Sequence, residues 1–109
     1  MSDNLIDLNP KEFSNKLRED DNAVLLDIRT PNEYNQGHIP NAVLMNIYDP
    51  SFADEIQMLD KKKNYYLYCR SGNRSYHAGR MMVQFGFNKI YNLSSGILDW
   101  NEPLQKDRE

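Results

Sequence analysis

YYLYCRSGNRS, residues 65–75, is the stretch of this sequence that decides the fold. Its first four residues form an aromatic and aliphatic run that predicts a buried strand. Gly72 and Asn73 both tolerate a positive φ angle, which favours a tight loop directly after Cys69. The apolar positions that follow recur at helical spacing: Ala78, Met81, Met82 and Phe85. Gly86 then suits the position just past a helix end. The stretch therefore predicts a strand, a tight loop at Cys69 and a helix.

This arrangement makes Cys69 a candidate nucleophile. Successive backbone N–H groups in such a loop can bind an anion, and the following helix N-terminus adds positive potential. The guanidinium groups of Arg70 and Arg74 act in the same direction, so the thiolate is favoured over the thiol. A thiolate in an anion-binding loop is suited to attack a negatively charged substrate. The alternative is a small buried hydrophobic residue, a common role of free cysteine.

Composition limits the classes of function. The 109 residues predict a single domain over 1–109, and the net charge of −3 predicts no nucleic-acid or membrane partner. Residues 69–80 nevertheless carry three arginines and no carboxylate, which fits a local anion site. No His/Cys cluster has metal-ligand spacing, so we expect no metal. Cys69 is the sole cysteine and no signal peptide is visible, which favours a reducing, cytoplasmic location.

Strand and helix signals alternate along the chain. Strands are predicted near residues 5–6, 23–28, 42–45, 65–68 and 89–91. Asn9-Pro10 and Thr30-Pro31 each combine a capping residue with a proline, and a glutamate follows at the third helical position. Further helical segments are expected from Asp49 and over 97–100. This alternation predicts an α/β fold with a mainly parallel sheet.

Asp27 and Arg29 are predicted to support the site. In parallel sheets ligands lie beyond the carboxyl ends of the strands, and Asp27 is near such an end, like Cys69. We expect Asp27 to anchor an arginine or the loop backbone. Arg29 and Glu33, four residues apart at a helix start, are expected to form an ion pair. His38 is interpreted as structural, because a thiolate that is already ionised needs no general base.

Four motifs, taken in order, resemble those of the single-domain rhodaneses (thiosulfate sulfurtransferases). The resemblance extends over nearly the whole chain, and the motifs that carry it are LDIRTPNEY at 26–34, GHIPNA at 37–42, YCRSGNRS at 68–75 and SGILDW at 95–100. Two positions depart from the family pattern. Asn41 and Ser95 each stand where the family usually has glycine.

The resemblance implies a five-stranded, mainly parallel sheet flanked by helices on both faces. It also implies transfer of a sulfane sulfur through a persulfide on Cys69, without a cofactor. By position, the substrate-binding loop comprises Arg70, Ser71, Gly72, Asn73 and Arg74. Asp27, Arg29 and Ser75 are expected to give structural support to the site. The implied partners are a small anionic sulfur donor such as thiosulfate and an acceptor that is cyanide or a thiol, including protein thiols.

Two other functions compete with this one. Cysteine phosphatases and arsenate reductases also place a cysteine at a strand end and close the anion loop with an arginine. Four residues separate Cys69 from Arg74, whereas the phosphatase signature has five, so the loop favours sulfur transfer. The third hypothesis is a non-catalytic rhodanese-like binding module. Such modules often lack the cysteine that this chain has.

Overall fold

The computed structural model describes residues 4–106. Five strands form one sheet: β1 (Leu5–Leu8), β2 (Ala23–Asp27), β3 (Val43–Leu44), β4 (Asn64–Tyr68) and β5 (Ile90–Leu93). The strand order is β1-β5-β4-β2-β3, and all four pairings are parallel. The predicted α/β fold with a five-stranded parallel sheet is confirmed. The strand that leads into Cys69 lies at the centre of the sheet.

Four α-helices connect the strands: α1 (Pro10–Glu19), α2 (Pro31–Gln36), α3 (Phe52–Gln57) and α4 (Asn73–Gln84). The helix starts predicted at Asn9 and Thr30 are both correct. Asn9 and Thr30 each accept a hydrogen bond from the third helical amide, and Glu12 and Glu33 bond back to the cap. These reciprocal bonds satisfy amides that have no partner within the helix.

Successive residues of β4 pack into two separate cores. Tyr65 and Leu67 belong to the core cluster that includes Met82 of α4, whereas Tyr66 and Tyr68 belong to the cluster that includes Phe13 of α1. Side chains of a strand alternate between the faces of a sheet, so a strand covered on both sides must be apolar throughout. Helices therefore cover both faces of the sheet, as expected.

Two segments are shorter than predicted. α3 begins at Phe52 rather than at Asp49, because residues 49–51 form a turn in which the Ser51 amide donates to the Asp49 carboxylate. The segment over 97–100 is a single 3₁₀ turn, Ile97–Asp99. α4 ends as predicted, with Gly86 just beyond it at φ 98°. Within residues 4–106, no helix is long and apolar enough to cross a membrane.

Candidate functional site

Cys69 follows the central strand directly and is 1% exposed. Its sulfur accepts hydrogen bonds from the Gly72 amide, with an N–Sγ distance of 3.1 Å, and from the Ser75 amide at 3.4 Å. The Ser75 hydroxyl oxygen is also 3.4 Å from Sγ. The sulfur is therefore surrounded by donors from the loop and from the first turn of α4, an arrangement that suits a negative charge.

These donors lower the pKa of the Cys69 thiol. Burial alone would raise this pKa, but the hydrogen bonds from the Ser75 side chain and from the Ser75, Gly72 and Ser71 amides outweigh burial. A thiolate is the nucleophilic form of cysteine. The loop therefore favours the reactive state of the sulfur without needing a neighbouring base.

Two glycines allow the loop to pack closely against the chain that follows β5. Gly72 has φ 95°, and a Cβ atom there would collide with the Ser94 carbonyl. Gly96 has φ 70°, and a Cβ atom there would collide with the Arg70 carbonyl. Both positions need a left-handed backbone as well as open space, which only glycine combines without strain. The prediction of a positive φ is correct for Gly72, whereas Asn73 is the first residue of α4.

The 3₁₀ turn holds the start of the loop from outside. The Ile97 amide donates to the Cys69 carbonyl at 3.0 Å, and the Leu98 amide donates to the Arg70 carbonyl at 3.1 Å. These bonds satisfy carbonyl groups that lie beyond the end of β4. The last motif of the chain thus fixes the backbone around the candidate nucleophile.

Two of the three arginines expected at the site are held by carboxylates. Arg74 makes two bonds of 3.0 Å to Glu33 of α2. Arg29 is buried and binds Asp27 through both Nε and Nη2. The prediction that Asp27 anchors an arginine is correct, but the predicted Arg29–Glu33 ion pair is wrong. Asp27 is nearer to Arg29 than Glu33 is, and Glu33 faces the loop instead.

Arg70 has a different environment from the other two arginines. Its side chain is exposed, and it has no hydrogen bond or ion pair within the part of the chain that the structure describes. Ser71 and Asn73 are also exposed, so the outer side of the loop faces solvent. Among the described residues of this loop, the Arg70 guanidinium is therefore exposed and unpaired, whereas that of Arg74 is held by Glu33.

Sequence reasoning missed two residues of the site, Asn92 in β5 and Asp7 in β1. Asn92 is 1% exposed, and its Oδ1 lies 2.6 Å from the Ser75 hydroxyl oxygen. Its Nδ2 donates to the Gly72 carbonyl at 3.1 Å and to Asp7 at 2.9 Å. The signal was an asparagine between Tyr91 and Leu93, a polar residue inside an apolar strand. Ser75, expected only as support, contacts the sulfur itself.

The structure also shows the surroundings of His38, Asn41 and Ser95. The His38 ring stacks on Tyr34 with centroids 3.7 Å apart, and its Nδ1 lies 2.9 Å from the Tyr34 carbonyl oxygen. Asn41 adopts φ 73°, so it occupies the left-handed region usual for the family glycine. The Ser95 hydroxyl is buried and has no partner among the described residues. Those residues also contain no group of three His, Cys, Asp or Glu side chains able to hold a metal ion.

Comparison with known proteins agrees with this geometry. The family description of the rhodanese-like domain matches residues 9–103, which is most of the chain. The chain belongs to the rhodanese-like family.

Relatives and solved structures extend this assignment. The chain is 35% identical to a sulfurtransferase of Allochromatium vinosum over 96 residues, which cover 86% of each protein. It is also 35% identical to the thiosulfate sulfurtransferase GlpE of Pseudomonas syringae, covering 84% of this chain and 83% of GlpE. A rhodanese-like domain protein from Staphylococcus aureus superposes with a TM-score of 0.82 at 28% identity, covering 94% of this chain and 99% of that one. Other relatives are longer, and the chain spans less than half of their length.

Proposed function

We propose that this member of the rhodanese-like family is a thiosulfate sulfurtransferase in which Cys69 carries the transferred sulfur as a persulfide. The observation that carries the proposal is the set of donors around Sγ, with the Gly72 and Ser75 amides 3.1 and 3.4 Å away. A binding module needs no such stabilisation of a cysteine thiolate. The names of the two sulfurtransferase relatives support the same reaction class.

In the first half-reaction, the Cys69 thiolate attacks the outer sulfur of thiosulfate. A new bond forms between Sγ and this sulfane sulfur, and the bond between the two sulfur atoms of thiosulfate breaks. Sulfite leaves with the bonding electron pair, so the charge balances without any oxidant. Arg70 is exposed beside the nucleophile and is suited to bind the sulfonate oxygens.

In the second half-reaction, cyanide or a thiolate attacks the outer sulfur of the persulfide. The acceptor gains that sulfur, and Cys69 leaves as a thiolate stabilised by the loop amides. The products are thiocyanate or the acceptor persulfide. This two-step transfer is covalent catalysis with ping-pong kinetics. Low-molecular-weight and protein thiols both have the chemistry to act as acceptors, and they are abundant in a reducing compartment such as the cytoplasm.

The environment of Arg74 disfavours the phosphatase alternative. In that mechanism the arginine that closes the loop binds the phosphoryl oxygens. Here both terminal nitrogens of Arg74 are bonded to Glu33, and breaking these bonds would leave a partly buried carboxylate without its counter-ion. The shorter loop also disfavours a phosphatase, because it has room for one sulfur atom but little for a tetrahedral phosphoryl group.

Intact-mass spectrometry after incubation with thiosulfate tests the proposal. The mass should rise by one sulfur atom, and cyanide or dithiothreitol should remove it. Because Cys69 is the sole cysteine, Cys69→Ser should show neither the adduct nor thiocyanate formation. Sulfur transfer undiminished in that variant would exclude the mechanism. An unmodified mass with no turnover would favour the non-catalytic module, and hydrolysis of an aryl phosphate in its place would favour the phosphatase.

A further inference from the structure

Asn92 is hydrogen-bonded to Gly72 and Ser75, the two residues whose amides donate to Cys69, but it makes no hydrogen bond to the sulfur itself. It lies in β5, beside the central strand, where it pairs with Leu67. Its side chain contacts the Gly72 carbonyl oxygen, the Ser75 hydroxyl and the Asp7 carboxylate. Asn92, Ser75 and Cys69 are each exposed by 1% or less, so water cannot readily replace the contacts of Ser75 with Asn92 and with the sulfur.

The partners of Asn92 determine which way its amide points. The Gly72 carbonyl can only accept a hydrogen bond, and the Asp7 carboxylate accepts as well. Both lie next to one atom of the amide, at 3.1 and 2.9 Å, so that atom must be the nitrogen donor. The other atom, which faces Ser75, is then the carbonyl oxygen, and it can only accept.

This orientation determines where the Ser75 proton goes. A hydroxyl has one proton, and two acceptors compete for it: Asn92 Oδ1 at 2.6 Å and Cys69 Sγ at 3.4 Å. The oxygen acceptor is much closer, and two oxygens at 2.6 Å without a proton between them would repel. While Cys69 is a neutral thiol, Ser75 therefore donates to Asn92 and offers its own lone pairs to the S–H group.

We propose that Asn92 is a positioning residue that controls the Ser75 hydroxyl, withholding its proton from the neutral thiol and releasing it to the sulfur when the sulfur becomes negative. On ionisation the thiol proton leaves to solvent, and Ser75 turns from Asn92 to Sγ. The sulfur thereby gains a hydroxyl donor in addition to the two amides. This inference rests on the proposed function only in that it concerns the same nucleophile.

Other charged groups lie near Cys69 and must be kept constant in a test. Arg74 of α4 interacts electrostatically with the sulfur and is held by Glu33 of α2. Asp7 of β1 lies directly behind Asn92, and Arg70 is the next residue in the chain. A substitution that adds or removes charge at position 92 would alter these interactions. An uncharged replacement of similar shape, Asn92→Leu, avoids that problem.

A double-mutant cycle on the Cys69 titration isolates the control of Ser75. The variants are Asn92→Leu, Ser75→Ala and the pair together, and the readout is the pH dependence of thiolate absorbance or of iodoacetamide reactivity, without thiosulfate. Loss of the Asn92 amide loosens the hold on Gly72 in both backgrounds, so this contribution cancels. Only with Ser75 present does Asn92→Leu free the hydroxyl for the sulfur.

We expect Asn92→Leu to shift the midpoint downward in the Ser75 background relative to its shift in the Ser75→Ala background. The difference should be about half a pH unit or more, the scale of the neutral Ser75–Asn92 hydrogen bond that ionisation no longer has to break. Equal shifts in the two backgrounds would overturn the proposal and leave Asn92 as a structural residue. Because the titration contains no thiosulfate, this outcome is independent of whether the protein transfers sulfur.

A measurement on the unmodified protein decides the case if Asn92→Leu does not fold. The carbonyl carbon of the Asn92 side chain should change its ¹³C chemical shift with the same midpoint as Cys69, because it loses the Ser75 proton on ionisation. In Ser75→Ala this change should fall to the small part caused by the thiolate charge alone. An Asn92 shift that does not follow Cys69, or that follows it equally in Ser75→Ala, would contradict the proposal.

Discussion

Arg70 is the residue near Cys69 whose loss should affect substrate binding most selectively. It is exposed, and its side chain makes no ion pair or hydrogen bond within residues 4–106. If it binds the sulfonate of thiosulfate, Arg70→Ala should raise KM at least about tenfold, which corresponds to ~1.4 kcal/mol. Steady-state kinetics at varied thiosulfate concentration measures this change.

Arg80 provides a matched control for that variant. It is also exposed, it lies on α4, and it is one of the three arginines of residues 69–80. Arg80→Ala should leave KM within about twofold of the original value, since a distant solvated charge contributes little. Equal KM values for Arg70→Ala and the unmodified protein would remove Arg70 from substrate binding.

The Cys69 thiol should react as a thiolate below the pH at which free cysteine does. Hydrogen bonds from Ser75 and Gly72 outweigh burial and lower its pKa, so the fraction of thiolate at neutral pH rises. The rate of alkylation by iodoacetamide should therefore reach its midpoint below about 8.5, the pKa of an unperturbed thiol. A midpoint at or above the value measured for a cysteine peptide would contradict this electrostatic description.

Among single residues, those marked by local sequence signals were predicted better than those whose partners lie on other strands. Cys69 and Gly72 were identified because a strand end, a glycine and a helix start are all local signals. Asn92 was not, because its partners Gly72 and Asp7 are 20 and 85 residues away in sequence. The Arg29–Glu33 pair was predicted from spacing alone. Spacing cannot reveal that Arg29 binds Asp27 and that Glu33 binds Arg74.

The Glu33–Arg74 pair links two elements, α2 and the first turn of α4. Bonding to Arg74 holds the pKa of Glu33 at about 2, below its ordinary value of 4.5. Because the folded pKa is lower than the unfolded one, the pair stabilises the fold above about pH 4.5, and this contribution disappears as pH falls toward 2. The pair is partly exposed, so solvent screening reduces the energy involved.

Glu33→Gln should expose this dependence on pH. Glutamine still suits the third position of a capping box, so α2 should keep its start while the ion pair is lost. The difference in unfolding free energy between Glu33→Gln and the unmodified protein should be greatest above pH 5 and should shrink as pH falls. Urea titrations from about pH 7 to about pH 3 measure it.

Glu12→Gln is the control, because Glu12 occupies the same position in the capping box of α1 and lies in none of the ion pairs among the described residues. Its effect on stability should depend much less on pH. A difference for Glu33→Gln that grows on acidification would reverse the sign argued above.

Element by element, capping signals and apolar runs predicted the architecture, and tertiary contacts set the lengths. Asn9 and Thr30 each begin a capping box with a proline at the first helical position, and both helix starts were predicted correctly. Ser51 and Asp49 instead bond to each other, so α3 starts later than its proline indicated. The length of β3 is set by its pairing with β2, over Leu26–Val43 and Asp27–Leu44, which no local pattern records.

For the molecule as a whole, the buried Asp27–Arg29 pair connects the sheet to the segment after α2. Arg29 donates a hydrogen bond to the Gly37 carbonyl. The Tyr68 hydroxyl of β4 donates to Asp27 at 2.8 Å and accepts a hydrogen bond from the Ile39 amide. Burial, followed by the Asp27 charge, raises the pKa of Tyr68, so its hydroxyl stays protonated and donates. The motif around residues 37–42 is thereby attached to the two central strands.

Asp27→Asn should therefore destabilise the entire fold. Arg29 is 5% exposed, so the neutral amide would leave a buried guanidinium charge without its counter-ion. Removing one partner of a buried ion pair costs about 3–5 kcal/mol, a large part of the ~5–15 kcal/mol that stabilises a typical domain. The exposed pair between Arg18 and Glu102, with an N–O distance of 3.8 Å, is the contrast, and Glu102→Gln should cost at most about 1 kcal/mol. Denaturant unfolding of both variants at neutral pH measures the two losses, and similar small losses would show that the Asp27–Arg29 pair does not stabilise the fold as argued.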